Sequence, residues 1–509
     1  MTALHSAVHI TRLRKGTLVL NVDGNSITGN VIGGAEVLAI QGGQRVKIAP
    51  ATGAELAIVA ESGPEDVDAA VESALKAQRV WAAMSVLDRK AGMLAWARNL
   101  RECVDELVAI DAADSGTPMH DMRKGVINGI THLEHFAGLG FELVGQTVPA
   151  TPGNLHYTVR EPYGIVGILT PFNGPSFFPI KLSAPALAAG NAVILKPSEQ
   201  TPLGATIIAN AAIGALPDGL VNVVQGGPAV GEAIVKHPRV ERLHLTGGVP
   251  TGLAIQKAAA DSGYVKEISL ELGGKNPLIV FPDVDVETAA RAAIKGMNFT
   301  HQGQSCGSTS RLFVHRSLAD AVTERVTQLV SQINVSLPDD PDAEMGSLVS
   351  ERHKARVLSM IAMAKEEGAT LLTGGGEGDG PLADGAYVMP TVFGGVRPDM
   401  RIAQEEVFGP VLSIIVWDDE TEMLEAVNSV DYGLTASIFT NDLTKALTTA
   451  GKVESGYVWI NEVVHRWLGV PFGGYKNSGA GVEHAKETML EYTREKSISV
   501  VLSRGQATL

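Results

Sequence analysis

Cysteine is nearly absent from this chain: 509 residues contain two, Cys103 and Cys306. Two thiols cannot build a disulfide framework, and such scarcity fits a reducing compartment where a solitary thiol persists. Positive charge is also short, with 41 Lys+Arg against 56 Asp+Glu and a formal net charge of −15. That balance opposes binding along a phosphate backbone and favours solubility, so no nucleic-acid partner is expected. No apolar run reaches bilayer-spanning length. The basic Arg12, Arg14 and Lys15 precede Leu18-Val19-Leu20, but Asn21, Asp23 and Asn25 interrupt before a secretory core can form. A cytoplasmic protein with no membrane partner is expected. What the chain does have is 45% hydrophobic residues, enough to bury a large core, and a length worth roughly three average domains.

The two cysteines stand in different surroundings. Cys103 lies between Leu100 and Leu107, three before and four after it on a helical face, and reads as core. Cys306 lies in Gln302-Gly303-Gln304-Ser305-Cys306-Gly307-Ser308, with almost nothing apolar to pack it. A free cysteine ordinarily behaves as a small buried hydrophobe, so this placement invites a chemical explanation, a nucleophile, over a structural one.

From about residue 65 to 290, helical amphipathic runs alternate with short β-branched runs at 164–169, 192–195, 220–224 and 277–281. The alternation resumes after Cys306, at 311–314, 370–372, 411–416 and 457–460. Near-continuous apolar strands separated by helices imply parallel sheets covered on both faces, and two α/β units of similar size. Residues 145–160 carry hairpin turn chemistry between alternating flanks, and 497–502 is an isolated β run. Both need a sheet to join, which a neighbouring subunit could provide. The first forty residues are irregular; a strand-rich extension and a loosely held arm are both open.

Several segments carry chemistry. Lys196-Pro197-Ser198-Glu199 places a cation and an anion past the carboxyl end of a parallel strand, the edge where open α/β sheets bind ligands. A Glu there can accept from a ribose diol and repel a 2′-phosphate, favouring NAD over NADP; a solvated turn is the alternative. Thr246-Gly247-Gly248-Val249-Pro250-Thr251-Gly252 ends a strand and opens a helix whose first N–H groups suit a pyrophosphate. It lacks the usual dinucleotide spacing, and Gly226-Gly227-Pro228-Ala229-Val230-Gly231 competes with it. Glu271 interrupts an apolar alternation, where burial raises a carboxyl pKa toward that of a general base; an ion pair with Lys275 is the structural alternative. Asn173 follows the apolar strand at 165–169 and is either an oxyanion donor or a turn residue before Gly174.

In order, the chain reads Thr-Pro-Phe-Asn, Lys-Pro-Ser-Glu, Thr-Gly-Gly, Glu-Leu-Gly-Gly-Lys, Gly-Gln-Ser-Cys, Glu-Glu-Val-Phe-Gly-Pro and Pro-Phe-Gly-Gly-Tyr-Lys-Asn-Ser-Gly. This series resembles the aldehyde dehydrogenase superfamily from about Pro50 to the C-terminal strand. The resemblance implies two doubly wound parallel-sheet α/β domains, Rossmann-like and catalytic, plus a small β oligomerisation arm. It places the NAD-binding domain at 1–144 and 162–273, the catalytic domain at 274–480, and the arm at 145–161 and 481–509, in a homodimer or homotetramer. It implies Cys306 as nucleophile, Asn173 with the Cys306 backbone N–H as oxyanion hole, and Glu271 as the activator of water. Lys196 and Glu199 match the adenosine-ribose contacts; Thr246, Gly247 and Gly252 the pyrophosphate helix start; Glu406 and Phe408 the nicotinamide-riboside contacts. No metal is implied. Two departures stand out: Gly248 where Ser is common, removing a phosphate contact, and Phe172 where Trp is frequent.

The expected chemistry is attack of a Cys306 thiolate on an aldehyde, favoured by helix ends and the nicotinamide's charge, hydride transfer to NAD, and hydrolysis of the thioester by water activated by Glu271. The presence of Glu271 favours hydrolysis over transfer to coenzyme A. For the substrate, Lys181 and Arg466 could read the carboxylate of a semialdehyde, while Phe177, Phe178 and Trp467 could stack an aromatic or hydrophobic aldehyde; the bland reading has Arg466 in solvent and the aromatics in the core. Two other functions are a thiol hydrolase or acyltransferase, which needs His301 or His315 on the thiol, and a non-catalytic NAD-binding relative.

Overall fold

The computed structural model describes residues 20–22 and 25–502. The basic N-terminal stretch from Arg12 and the end of the expected arm, 503–509, lie outside the described residues.

Two large sheets organise the chain. In the first, the strands 267–271, 242–246, 165–169, 192–196 and 221–223 lie side by side and parallel. Their centres are buried throughout, as near-continuous apolar runs require when helices cover both faces. The earliest of these strands, 165–169, is central, and the chain winds outward from it in both directions. The strand order therefore reverses between 165–169 and 242–246, opening a crevice at their carboxyl ends. The edges are antiparallel: Val31 pairs with Val223 at one, and Gly479–Ala480 with Leu270 and Glu271 at the other. Part of the first forty residues thus has a role, since the hairpin of Asn30–Ile32 and Ala35–Val37 extends this sheet.

The second sheet runs 370–373, 391–394, 411–417, 311–315, 277–280, 435–439, 457–460, parallel except for its first edge strand. The chain passes from one sheet to the other in the segment Leu272–Asn276, between strands Glu267–Glu271 and Pro277–Val280. The end of strand 267–271 consequently faces the start of strand Arg311–His315, which the Cys306 loop feeds.

The arm differs from expectation. Strand Thr493–Val500 begins earlier than the β run at 497 and pairs along its length with Leu155–Pro162 of the same chain. Each therefore finds its sheet partner within the chain, and the hairpin's first flank is reduced to a bridge between Thr147 and Tyr157. Among the described residues no helix is long and apolar enough to cross a membrane.

Candidate active site

The thiol loop is over-determined by buried polar contacts. Helix Val286–Met297 ends at Asn298 in the left-handed region, and Gln302 repeats that conformation at φ 52°. Gln302 Oε1 accepts from Thr117 Oγ1 at 2.9 Å and Gln304 Nε2 at 3.1 Å, while Gln304 Oε1 accepts from the Val349 amide at 3.1 Å. Asn276 Nδ2 donates to the carbonyls of Cys306 (2.7 Å) and Ser308 (2.9 Å), tying the loop to the crossing between the sheets. Gln302, Gln304 and Ser308, polar as they are, are thus buried. Cys306 is buried too, packed with Leu434, Tyr457, Trp459 and Phe472, so its apolar neighbours come from distant strands and loops.

Cys306 Sγ donates to Glu271 Oε1 at 3.0 Å. Burial, then the Glu271 charge, push the thiol well above its ordinary pKa, with Arg466 opposing. Without the nicotinamide's charge, the protein's own surroundings hold Cys306 as the thiol. Glu271 is raised to about 8, first by burial and then by Glu483. Glu483 is itself held well below the carboxylate range: burial opposes this, but the ion pair with Lys181 and the contact from His244 Nε2 at 3.1 Å outweigh it. Two facing carboxyl groups, one held ionised by the Lys181 ammonium, leave the shared proton on the other, which is Glu271. The ion pair of Glu271 with Lys275 left open by the sequence is not formed; Lys275 is buried, its Nζ without a hydrogen-bond partner among the described residues.

Asn173 is more than a turn residue. Its buried Nδ2 donates to the Gln304 carbonyl at 2.7 Å, which docks the amide on the thiol loop. His301 accounts for both ring nitrogens, one on Asp121 at 2.8 Å and one on the Asn173 carbonyl at 2.5 Å. His315 instead caps helix Arg316–Ser331. Neither histidine is oriented onto the thiol, so the hydrolase reading loses the base it required.

The other sequence-derived positions fall at strand ends of the first sheet and in the loop 405–410. Lys196 is buried at its strand end, 3.7 Å from the partly exposed Glu199 carboxylate. Thr246 ends strand 242–246, and the Gly247 amide donates to the Glu271 carbonyl at 3.0 Å, so the base and the glycine turn are neighbours. Helix Val249–Asp261 has no side-chain cap at its N-terminus. By contrast, the competing glycine turn is filled from within, because the Gly227 amide donates to Glu61 Oε1 at 2.9 Å. Gly252 packs against Leu272, whose methyl carbons would lie 2.9 Å from an added Cβ, so a larger residue there would displace the Leu272 side chain. Glu406 accepts from the Gly274 amide at 2.8 Å, and Phe408, at φ 55°, is fixed through its carbonyl by His353 Nε2 at 2.7 Å. Glu406 and Phe408 line one crevice with Ser305 and Ser308, which flank the thiol.

Of the substrate positions, Lys181 is buried and committed to Glu483, with Phe177 and Phe178 around its ammonium at 5.1 and 5.3 Å. It is not free to read a substrate carboxylate. Trp467 is half exposed and lines a cavity of about 340 Å³ with Tyr457, Trp459 and Val470 that includes neither Cys306 nor Glu271. Arg466 does not stand in open solvent; its guanidinium lies 4.4 Å from the Phe472 ring centre. The sequence reading missed Glu483, His244 and Asn276. A histidine inside the buried strand Leu243-His244-Leu245 was the available signal, whereas Glu483 follows a two-residue strand with no pattern of its own.

The fold and the thiol–carboxyl–amide site define a class that the comparisons identify. Residues 40–498 match the model of the aldehyde dehydrogenase family. The chain is 42% identical over 473 residues, 91% of each sequence, to the aldehyde dehydrogenase tropH of Talaromyces stipitatus. Its structure is similar to an NAD+ complex of aldehyde dehydrogenase from Bacillus cereus (TM-score 0.90, 36% identity, 93% of this chain and 96% of that one). It is equally similar to betaine aldehyde dehydrogenase from Staphylococcus aureus in complex with NAD+ (TM-score 0.91, 33% identity, 94% and 96%). The chain belongs to the aldehyde dehydrogenase family.

Proposed function

We propose that this enzyme oxidises an aldehyde to a carboxylic acid with NAD, through covalent catalysis at Cys306. The observation that carries the reading is the Cys306 Sγ to Glu271 Oε1 contact at 3.0 Å beside an Asn173 amide docked on the same loop. Glu271 takes the thiol proton, and sulfur adds to the carbonyl carbon to give a thiohemiacetal. Asn173 Nδ2 and the Cys306 N–H meet the developing oxyanion. NAD, when bound, supplies the acceptor for the substrate's hydride. Once its carbon is oxidised the substrate is a thioester on Cys306, and Glu271, deprotonated again, takes a proton from the attacking water.

The residues fit that cofactor. The uncapped start of helix 249–261 leaves N–H groups for a pyrophosphate, and an added Cβ at Gly248 would meet only Pro250, at 3.8 Å. Glu199 would hold a ribose diol and repel a 2′-phosphate, which supports NAD over NADP; Lys196 would assist it, and Glu406 and Phe408 would hold the nicotinamide end. In this reading 1–144 with 162–273 is the NAD-binding domain, 274–480 the catalytic domain, and 145–161 with 481–509 an arm. Strand 493–500 keeps one unpaired edge, which supports a homodimer or homotetramer. The scarcity of cysteine supports a cytoplasmic location.

The test is NADH formation by the purified protein with a panel of aliphatic, aromatic and carboxylated aldehydes, in parallel with NADP. Absence of both reduced nicotinamide and acid product with every aldehyde would sink the oxidation; acid without NADH or NADPH would sink the cofactor. Light scattering on a chain ending at Thr493 tests the arm: an unchanged mass would remove it from assembly.

A further inference from the structure

Arg466 is placed by two contacts. Its guanidinium stacks on Phe472, a residue that itself packs with Cys306. Its Nη2 lies beside Gly307, only 2.3 Å from where a Cβ would stand. Gly307 directly follows the nucleophile, so the cation rests against the backbone of the thiol loop, in space that only a glycine leaves open. Its Nε is buried and has no hydrogen-bond partner among the described residues.

The loop bearing Arg466 is stitched to the segment that bears Glu483. Phe472 and Glu483 exchange backbone hydrogen bonds of 3.0 and 2.7 Å, and the Gly469 amide donates to the His484 carbonyl at 2.9 Å. The guanidinium is therefore held in place, with an unused donor, next to the reacting sulfur. Lys181, the other cation of the site, is already neutralised by Glu483. A planar guanidinium stacked on an aromatic ring and short of acceptors matches a planar two-oxygen anion.

We propose that Arg466 is the specificity-determining residue of this site and selects aldehydes carrying a carboxylate a short spacer away from the formyl group, that is, oxo acids. This rests on the reading that Cys306 attacks an aldehyde. With such a substrate the formyl carbon meets Cys306 while the carboxylate accepts from the guanidinium, whose Nε is otherwise unpaired among the described residues. A neutral aldehyde leaves that donor as unpaired as it is in the free protein, so only the oxo acid gains the charge-assisted hydrogen bond, a difference that appears in kcat/KM.

The experiment compares kcat/KM, with NAD, for glyoxylate, succinic semialdehyde and longer oxo acids against n-alkanals of equal length. The wild type should prefer the best oxo acid over its alkanal by about 10- to 100-fold, the discrimination a charge-assisted hydrogen bond supports. Arg466→Gln should collapse that ratio toward one, and Arg466→Lys should keep part of it, because charge survives but the planar fork does not. A wild-type ratio of one or less overturns the inference and leaves the oxidation standing. Absence of NADH with every aldehyde overturns both. The pH profile of Cys306 alkylation by iodoacetamide separates a role on the thiol: equal loss on both substrates in Arg466→Gln, with alkylation displaced to higher pH, would mean that Arg466 serves the sulfur and not the substrate.

Discussion

Cys103 and Cys306 occupy opposite kinds of place. Cys103 joins helices Val86–Glu102 and Val104–Ser115, half-buried at the rim of the larger core, with Leu100 and Leu107 fully buried on either side. Cys306 is the more buried of the two, yet it alone has a proton acceptor, Glu271, in contact. Burial raises the pKa of both thiols. What separates the two thiols is therefore a carboxyl within reach and an amide on the same loop, and not exposure; these are the features on which the proposed reactivity of Cys306 rests.

The comparison breaks most sharply by substitution. Cys306→Ala should lower aldehyde oxidation by more than about 10⁴-fold while NAD binding, followed by calorimetry, persists. Cys103→Ala should leave turnover within about twofold and cost about 1 kcal/mol in a denaturant titration. Comparable activity in the two variants would overturn the assignment of the nucleophile. Next, Glu271→Gln should slow steady turnover by about 10²- to 10⁴-fold. A surviving pre-steady-state burst of NADH would confine Glu271 to the hydrolytic half; loss of the burst would assign it to the thiol proton as well.

A pH profile sharpens the same contrast. Glu271 must be ionised to act, so kcat should rise with an acid limb near pH 8. Lys181→Met removes a charge that holds Glu271 down and should move the limb upward; Glu483→Gln removes the repelling carboxylate and should move it downward. Folding raises Glu271 from 4.5 to about 8, so the folded state keeps a proton that the unfolded chain has lost. The stability this contributes is complete below pH 4.5 and is lost as the pH climbs through about 8, a slope that Glu271→Gln should flatten in melting experiments. A limb that ignores all three substitutions would show that another group titrates. The smallest effect concerns the uncapped helix. Gly248→Ser fits the space present and should tighten NAD binding a few-fold while adding a few tenths of a kcal/mol through N-capping.

Much of this was legible in the chain. The apolar runs gave both parallel sheets because strands buried on two faces need no alternation, and the order of short motifs pointed to the family. The thiol's environment was not legible, because Leu434, Tyr457, Trp459 and Phe472 reach Cys306 only through tertiary contact. Lys181 was misread for a related reason: a lysine after two phenylalanines reads as a free cation until Glu483 arrives from three hundred positions downstream. The ribbon was half visible, since alternation reveals a strand but not which strand it pairs with.

The segment from 479 to 500 supplies the carboxylate for Lys181 and His244, the Tyr492 hydroxyl for His244, the Tyr492 carbonyl for Asn191 and the strand for 155–162. A ribosome delivers that segment after everything it completes. During synthesis the first sheet waits with two buried cationic or titratable side chains lacking their counter-ion, a state that cannot close tightly. The neighbourhood of Glu271 and Cys306 is thus completed by the part of the chain that is made last.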